Sequence, residues 1–314
     1  MGRYTLRRIL IAIPVFFLVT ILVFTFLRLS PGEPEVIALT RELSPSQAEE
    51  LRHALKLDRS LPEQYYFWIK DFVQGDLGRS DLHEFSVGGE IRSRFPNTMR
   101  VGLIAIIVAL VVGIPVGVLS AVKADQWPDY LFRGIAVFAL AIPSFWLAIL
   151  AITVPANLWG IGPPLRHVPW SVDPWSNFTF FLLPGTLLGL YLAGVTLRMT
   201  RSMMLEVLSS DYIRTARSKG LRERQVLIRH ALRNVMIPII TIIGGQAGWL
   251  IGGSVVIETI FSVPGVGALM VDAVLFKDFP VVQGVTVVLA AFVLAINLLV
   301  DLTYGILDPR IRLN

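Results

Sequence analysis

The chain has 314 residues, of which 54% are hydrophobic and only 16% charged, with a mean hydropathy of +0.66. Soluble domains carry about 25% charge, so a water-soluble fold of this size is excluded and the chain reads as an all-α membrane protein. The absence of cysteine excludes a disulfide framework and a thiolate metal site, and the net charge of +5 matters less than where it lies.

A hydrocarbon core takes about 20 apolar residues per helix. Six stretches free of Asp, Glu, Lys and Arg are long enough: Ile9–Leu27, Val101–Val122, Gly134–Leu165, Pro174–Leu197, Asn234–Ile257 and Phe279–Val300. The first follows Arg3, Arg7 and Arg8, as in a signal peptide. The run is long, however, and Arg28-Leu29-Ser30-Pro31-Gly32-Glu33 offers no small-residue cleavage site. Residues 1–29 are therefore read as a short N-terminal arm and a retained first span.

Residues 30–98 are acidic and predict two helices. Ser44-Pro45-Ser46-Gln47 has the form of a helix start, with Leu51 and Leu55 at helical spacing up to Leu57. Pro62–Val73, with Tyr65, Tyr66, Phe67, Trp68 and Phe72, predicts a second helix stopped at Gly75. Together they are expected to form an extracytoplasmic helical cap, serving as a lid, as a surface for a delivery protein, or as both.

Residues 99–304 hold the five further spans, near 99–122, 134–154, 178–198, 235–257 and 280–302, with a loop at 199–234 and a tail at 305–314. The third apolar stretch is too long for one span, and Pro155 with the Gly160–Pro164 cluster predicts a helix end near Val154. Pro143 and Pro238 are placed to kink their helices. Thr259–Val271, with Pro264, Gly265 and Gly267, is too short to span and predicts a re-entrant or interfacial turn. Gly244, Gly248 and Gly252 lie four apart in the fifth span, as do Gly113 with Gly117 and Gly185 with Gly189 elsewhere. Such stripes let helix backbones approach closely; for the fifth span the neighbour is a partner chain, the solute path or another helix of this chain. Asn297, Asp301 and Glu258 sit at span ends, where structural pairing is expected.

Short basic segments stay in the cytoplasm. The N-terminal arm has three arginines and no acid, and Arg198–Arg233 has nine Lys/Arg against three acids, a net of +6. Ser30–Thr98 has a net of −4 and Glu258–Pro280 a net of −2. These signs place both termini and the 199–234 loop in the cytoplasm, as six spans require.

Within that basic loop, Ser209, Ser210 and Asp211 are placed to cap a short helix through Tyr212, Ile213 and Ala216 to Lys219, ended by Gly220 in a left-handed conformation. A returning helix, Arg222–Asn234, makes an elbow. Anchoring to anionic lipid would explain the charge, but it does not explain the caps or the apolar Tyr212-Ile213-Ala216 face, which predicts a partner groove.

The run Asp211-Tyr212-Ile213-Arg214-Thr215-Ala216-Arg217-Ser218-Lys219-Gly220-Leu221, then Arg229-His230-Ala231-Leu232-Arg233-Asn234 and Pro238, resembles the coupling segment of ABC-transporter permeases of the bacterial dipeptide, oligopeptide and nickel uptake group. The chain resembles most the first of the two permease subunits of a peptide importer. Gly75-Asp76-Leu77-Gly78-Arg79-Ser80, Ile142-Pro143-Ser144-Phe145-Trp146-Leu147, Gly252-Gly253-Ser254-Val255-Val256-Ile257-Glu258, Phe261, Pro264-Gly265-Val266-Gly267 and Leu307-Asp308-Pro309-Arg310 match that group in order. The general importer motif has a glutamate where this chain has Arg214, an alanine where it has Thr215 and a late proline where it has Arg233. The peptide group commonly shows this altered form.

The resemblance implies a type I ABC importer permease with six transmembrane helices in the bacterial cytoplasmic membrane. It implies a homologous second permease, two cytoplasmic ATPase subunits that carry ATP and Mg, and an external solute-binding protein. It implies that Asp211, Tyr212, Ile213, Arg214, Thr215, Ala216, Arg217, Lys219, Gly220 and Leu221 form the coupling helix, docked through Tyr212, Ile213 and Ala216. The chain itself is expected to bind no cofactor, metal or nucleic acid and to do no covalent chemistry. It lacks a Gly-x-x-x-x-Gly-Lys-Ser/Thr phosphate loop, and His53, His83, His167 and His230 are scattered. Import of nickel or another small solute stays open, as does a secondary transporter, which would need no ATPase; a membrane enzyme would need a converging catalytic set.

Overall fold

A computed structural model describes residues 2–29, 45–54, 56, 58–80, 82–83, 85–164 and 166–307. Its helices are α1 (Gly2–Leu29), α2 (Pro45–Ala54), α3 (Leu61–Val73), α4 (Val87–Val122), α5 (Trp127–Ala141), α6 (Ser144–Trp159), α7 (Pro174–Leu208), α8 (Asp211–Ser218), α9 (Glu223–Gly245), α10 (Ala247–Ile260), α11 (Val266–Leu275) and α12 (Phe279–Leu307). Extended pairing among the described residues is confined to an isolated bridge between Arg79 and Ser86. Helices α1, α4, α7, α9 and α12 are long and apolar enough to cross a membrane, and α5 with α6 supplies a sixth span if the bent pair counts as one. Ser44, Leu55, Leu57 and residues 308–314 lie outside the described residues.

The chain forms two compact units. One holds Thr98–Val263 and the end of α12 from Ile296. Helix α7 is its centre, with most of its apolar length buried. Four glycines set the approach of α4 to α7. A Cβ on Gly113 would stand 2.9 Å from the Ala193 carbonyl oxygen, and one on Gly117 would stand 2.8 Å from that of Leu197. In the other direction, a Cβ on Gly189 would stand 2.8 Å from the Ala105 carbonyl, and one on Gly185 3.1 Å from that of Val101. Small residues at such a crossing bring backbone against backbone where lipid offers no hydrophobic drive. The two contact sets on α4 are eight residues apart, which in a regular helix would turn the face by about 80°. A π-helical turn at Ala109–Gly113 takes up one residue and restores the face.

Two predicted spans differ from the sequence reading. The third is broken: α5 and α6 meet at 97° around Ile142 and Pro143. Proline cannot donate to the preceding turn and forces Ile142 into extended backbone (φ −86°, ψ 126°). Helix α6 does not end near Val154; it runs through Pro155 to Trp159 and stops at Gly160, whose φ is +67°. The fifth span is two helices, α9 and α10, separated at Gln246 (φ −82°, ψ 0°). Gly244 and Gly252 therefore stand on different helices: a Cβ on Gly244 would collide with Val300, while one on Gly252 meets nothing within 4 Å. Gly248 opens α10 on its exposed side.

The other unit holds the described residues of Gly2–Asn97 and Pro264–Ala295. Val87, Ile91, Val266, Leu269, Val281 and Val285 form its core. Ser80 donates to a buried Asp278 oxygen at 2.5 Å and receives the backbone N–H groups of Leu82 and His83, which folds the 75–80 motif over the start of α12. Gly75 and Gly78 hold φ of +86° and +81° there. Helix α3 lies along α1. Tyr65 bonds Thr20 at 2.8 Å, Trp68 packs on Phe24 and Phe72 on Phe16. The amphipathic aromatic rings of the predicted cap find an apolar partner in the first span itself.

Candidate functional site

Helix α7 has 35 residues. At 1.5 Å per residue it is about 52 Å long, well beyond a hydrocarbon core of about 30 Å, so it outruns the bilayer. Its Arg201–Leu208 end carries the elbow. After Leu208 the chain turns on Ser209 and Ser210, whose hydroxyls donate back to the carbonyls of Glu206 (2.8 Å) and Val207 (2.5 Å). Ser210 is the extended residue before α8, although its side chain caps nothing on the α8 side. Helix α8 stops at Ser218, and Gly220 just beyond it, with a φ of +77°, reverses the chain and donates its N–H to the Arg217 carbonyl at 2.9 Å. Glycine alone takes that backbone without steric cost. Arg217 then grips Glu223 of α9 through Nη2–Oε1 at 2.7 Å and Nε–Oε2 at 3.2 Å, closing the elbow.

The face of α8 points the other way from the one predicted. Ile213 is 0% exposed and Ala216 is buried; both pack into this chain's own cluster of Met204, Val226, Ala231, Val235 and Ile239. Tyr212 is exposed at its ring but accepts a bond from Asn234 Nδ2 at 2.8 Å. The apolar residues are bolts that hold α8 to α7 and α9, and they are not free to enter a partner groove. Burying an Ile side chain contributes about 1.5–3 kcal/mol, which is enough to hold a two-turn helix against a longer one. The outward face is polar: Asp211 and Arg214 have side chains 93% and 73% exposed and pair loosely with each other at 3.4 Å. Thr215, Ser218, Lys219, Gly220, Leu221 and Arg222 complete it. The Val226–Leu232 stretch of α9 is π-helical, a wide turn that suits the close packing of Val226 and Ala231 against α8.

Below the elbow lies a buried ion pair that the sequence reading missed. Asp129, at the start of α5, is 0% exposed. Arg201 of α7 forks onto it, Nε to Oδ1 and Nη2 to Oδ2, both at 2.7 Å. Ser120 of α4 donates to Oδ1 at 2.5 Å, and the Asp125 N–H donates to Oδ2 at 3.0 Å. The carboxylate therefore has four donors, as a buried charge requires. Met204, one turn beyond Arg201, belongs to the cluster that seats α8. Helix α8 is thus packed on α7 and α9, and the fork ties α7 to α4 and α5. Among the described residues no three His, Asp or Glu side chains gather as a metal site.

The profile described as "Binding-protein-dependent transport system inner membrane component" matches residues 113–313. A second, for the N-terminal part of such membrane components, matches residues 1–102. The chain belongs to this family of ABC-transporter permeases. It is 42% identical over 312 residues to a putative peptide transport system permease of Brucella abortus (strain 2308), covering 99% of each chain. It is 40% identical over 338 residues to the dipeptide transport system permease protein DppB of Escherichia coli (strain K12), again over 99% of each. A putative peptide permease of Brucella ovis is 38% identical over 331 residues, with the same coverage.

As a family permease the chain is a multi-pass, nearly all-helical translocation subunit with a type I importer fold, and it works with other subunits. The structure brings the predicted elbow residues Asp211–Leu221 together at one place. It separates them into an inner set (Ile213 and Ala216, with Tyr212 bonded at the side) and an outer set (Asp211, Arg214, Thr215, Lys219, Gly220 and Leu221). Gly244, Gly248 and Gly252 are not one stripe, since the break at Gln246 intervenes. Asp129 and Arg201 are 72 residues apart, and no local pattern pairs them; the only sequence signal was an acid in a short loop between apolar stretches.

Proposed function

We propose that this permease forms the translocation path for short peptides in an ATP-driven importer of the bacterial cytoplasmic membrane. A homologous second permease completes the path, an external binding protein delivers the solute, and two cytoplasmic ATPase subunits supply ATP and Mg. Both termini and the α8 elbow lie on the cytoplasmic side. Support for the solute class comes from relatives about 40% identical over the whole length that are named peptide or dipeptide permeases. Support for the sidedness comes from the +6 charge of Arg198–Arg233.

The observation that carries the coupling role is the division of α8 into a buried apolar side and an exposed polar side. The ATPase reads Asp211, Arg214, Thr215 and Lys219, and the buried side passes its movement to α7 and α9. The test is Gly220→Val in the full complex in proteoliposomes. Left-handed backbone costs a non-glycine residue about 1–2 kcal/mol, and a β-branched side chain bears it worst; the space around Gly220 is otherwise open. Peptide uptake is expected to fall at least tenfold while the ATPases still co-purify. Normal uptake in this variant refutes the coupling role, and failure of the wild-type complex to move any peptide refutes the solute class.

A further inference from the structure

The closest ring pair among the described residues is Tyr191 on α7 with Trp249 on α10, stacked with centroids 3.9 Å apart and planes 15° from parallel. Other ring pairs begin at 5.1 Å. In sequence the nearest charges are Arg198, seven residues from Tyr191, and Glu258, nine from Trp249, so the stack lies deep in the apolar part of both helices. Its neighbours on α7 are buried, from Leu187 to Gly189 and from Leu192 to Leu197, yet Tyr191 and Trp249 are each only half-buried. One edge of the stack thus leaves the packed interior.

What precedes Trp249 is a joint. The helix is interrupted at Gln246, between Gly244-Gly245 and Gly248. A break at membrane depth, with a polar carboxamide on it, is tolerated where protein covers it or where it borders a water-filled space. On the near side of the joint α9 is held: Gly244 seats against Val300, and Val235 and Ile239 belong to the cluster that holds α8. On the far side α10 closes on α7 and α6: Trp249 is in the stack, Leu250 and Ile257 share a core cluster with Leu188, Leu192 and Ala148, and a Cβ on Gly253 would stand 2.8 Å from Leu188. The joint therefore separates the segment tied to the elbow from the segment that closes on Tyr191. The outer side of α10, at Gly248 and Gly252, is exposed, and among the described residues a Cβ added at Gly252 would meet nothing within 4 Å, which leaves room on that side for a swing.

We propose that Tyr191 and Trp249 are gate residues of the translocation path, shut as a stack and opened when α10 moves about Gln246. This deepens the peptide-permease reading and rests on it. Movement delivered to α8 reaches α9, and the joint turns it into separation of α10 from α7. The flat ring faces then exposed offer an apolar, sequence-tolerant surface to passing solute side chains.

The test uses the full complex in proteoliposomes with a radiolabelled dipeptide. Because this chain has no native cysteine, Tyr191→Cys with Trp249→Cys gives a single thiol pair within the subunit, which a short reducible crosslinker can bridge. Crosslinking is expected to lower ATP-driven uptake at least tenfold, and reductant to restore it; uptake unchanged by crosslinking overturns the gate. In parallel, Tyr191→Ala with Trp249→Ala is expected to leak preloaded dipeptide without ATP several-fold faster than wild type, whereas Tyr191→Phe with Trp249→Phe keeps the stack and stays tight. A tight alanine pair overturns the gate even if the cysteine pair is inactive when reduced. If the wild-type complex moves no dipeptide, the functional reading fails. The gate is then judged on the leak of a small fluorescent solute through the alanine pair, and tightness again overturns it.

Discussion

Replacing Arg201 by Met removes both fork bonds to Asp129 and leaves the carboxylate buried with only Ser120 and the Asp125 N–H as donors. Breaking one side of a buried pair costs about 3–5 kcal/mol, mostly because the remaining charge is stranded. Arg201→Lys restores the charge but not the planar fork, so it loses one charge-assisted bond, about 1.5–3 kcal/mol. Arg201→Met with Asp129→Asn removes both charges and should recover part of the loss. The measurement is thermal unfolding of the purified chain in detergent micelles, followed by helical signal and by the fraction that stays monodisperse. The expected order is wild type, then Arg201→Lys or the double variant, then Arg201→Met. Wild-type melting of Arg201→Met, or a double variant no better than it, would refute the argument that an otherwise stranded charge sets the rigidity beneath the elbow.

Gly189→Val or Gly117→Val should block the α4–α7 approach, since a backbone carbonyl oxygen stands 2.8 Å from the added carbon at each and cannot give way as a side chain can; yield and melting temperature of the chain should both fall. Gly252→Ala, which meets nothing, should leave them unchanged. Ile213→Ala should destabilise the elbow by about 2–5 kcal/mol, read as earlier protease cleavage near residue 220, whereas Arg214→Ala should leave cleavage unchanged and weaken ATPase retention. Burial, reinforced by the charge of Arg100, holds the His167 imidazole below its ordinary value. The fold therefore favours neutral His167, and its contribution is whole above about pH 6.5 and declines as pH falls below that value. Melting at pH 5 relative to pH 7.5 should drop less in His167→Gln than in wild type, and an equal drop would contradict the assignment.

The helical membrane class was legible because charge-free runs near 20 residues are a direct statement of bilayer thickness. The Gly220 stop was legible because a glycine after a capped turn has one common use. The face of α8 was misread for a physical reason: an apolar stripe shows that a helix is covered, not by what. Only the folded arrangement shows that Met204 and Val235 cover it. Gly113, Gly117, Gly185 and Gly189 could be singled out by spacing, but the contact of each pair with the backbone of the opposite helix goes with the π turn of α4, which no residue pattern announces.

What the sequence determined by itself was therefore one-dimensional: lengths, breaks and charge signs. It marked Pro143 as a kink but not its 97°, and Gly244 and Gly252 as small but not as residents of two helices. The tertiary structure decided what depends on residues far apart in the chain. Arg201 meets Asp129, Tyr191 meets Trp249, and the apolar face of α8 turns inward. A local window holds propensity and hydrophobic period, whereas partner choice for a buried charge or ring is set by which helices the whole chain brings within a few ångströms.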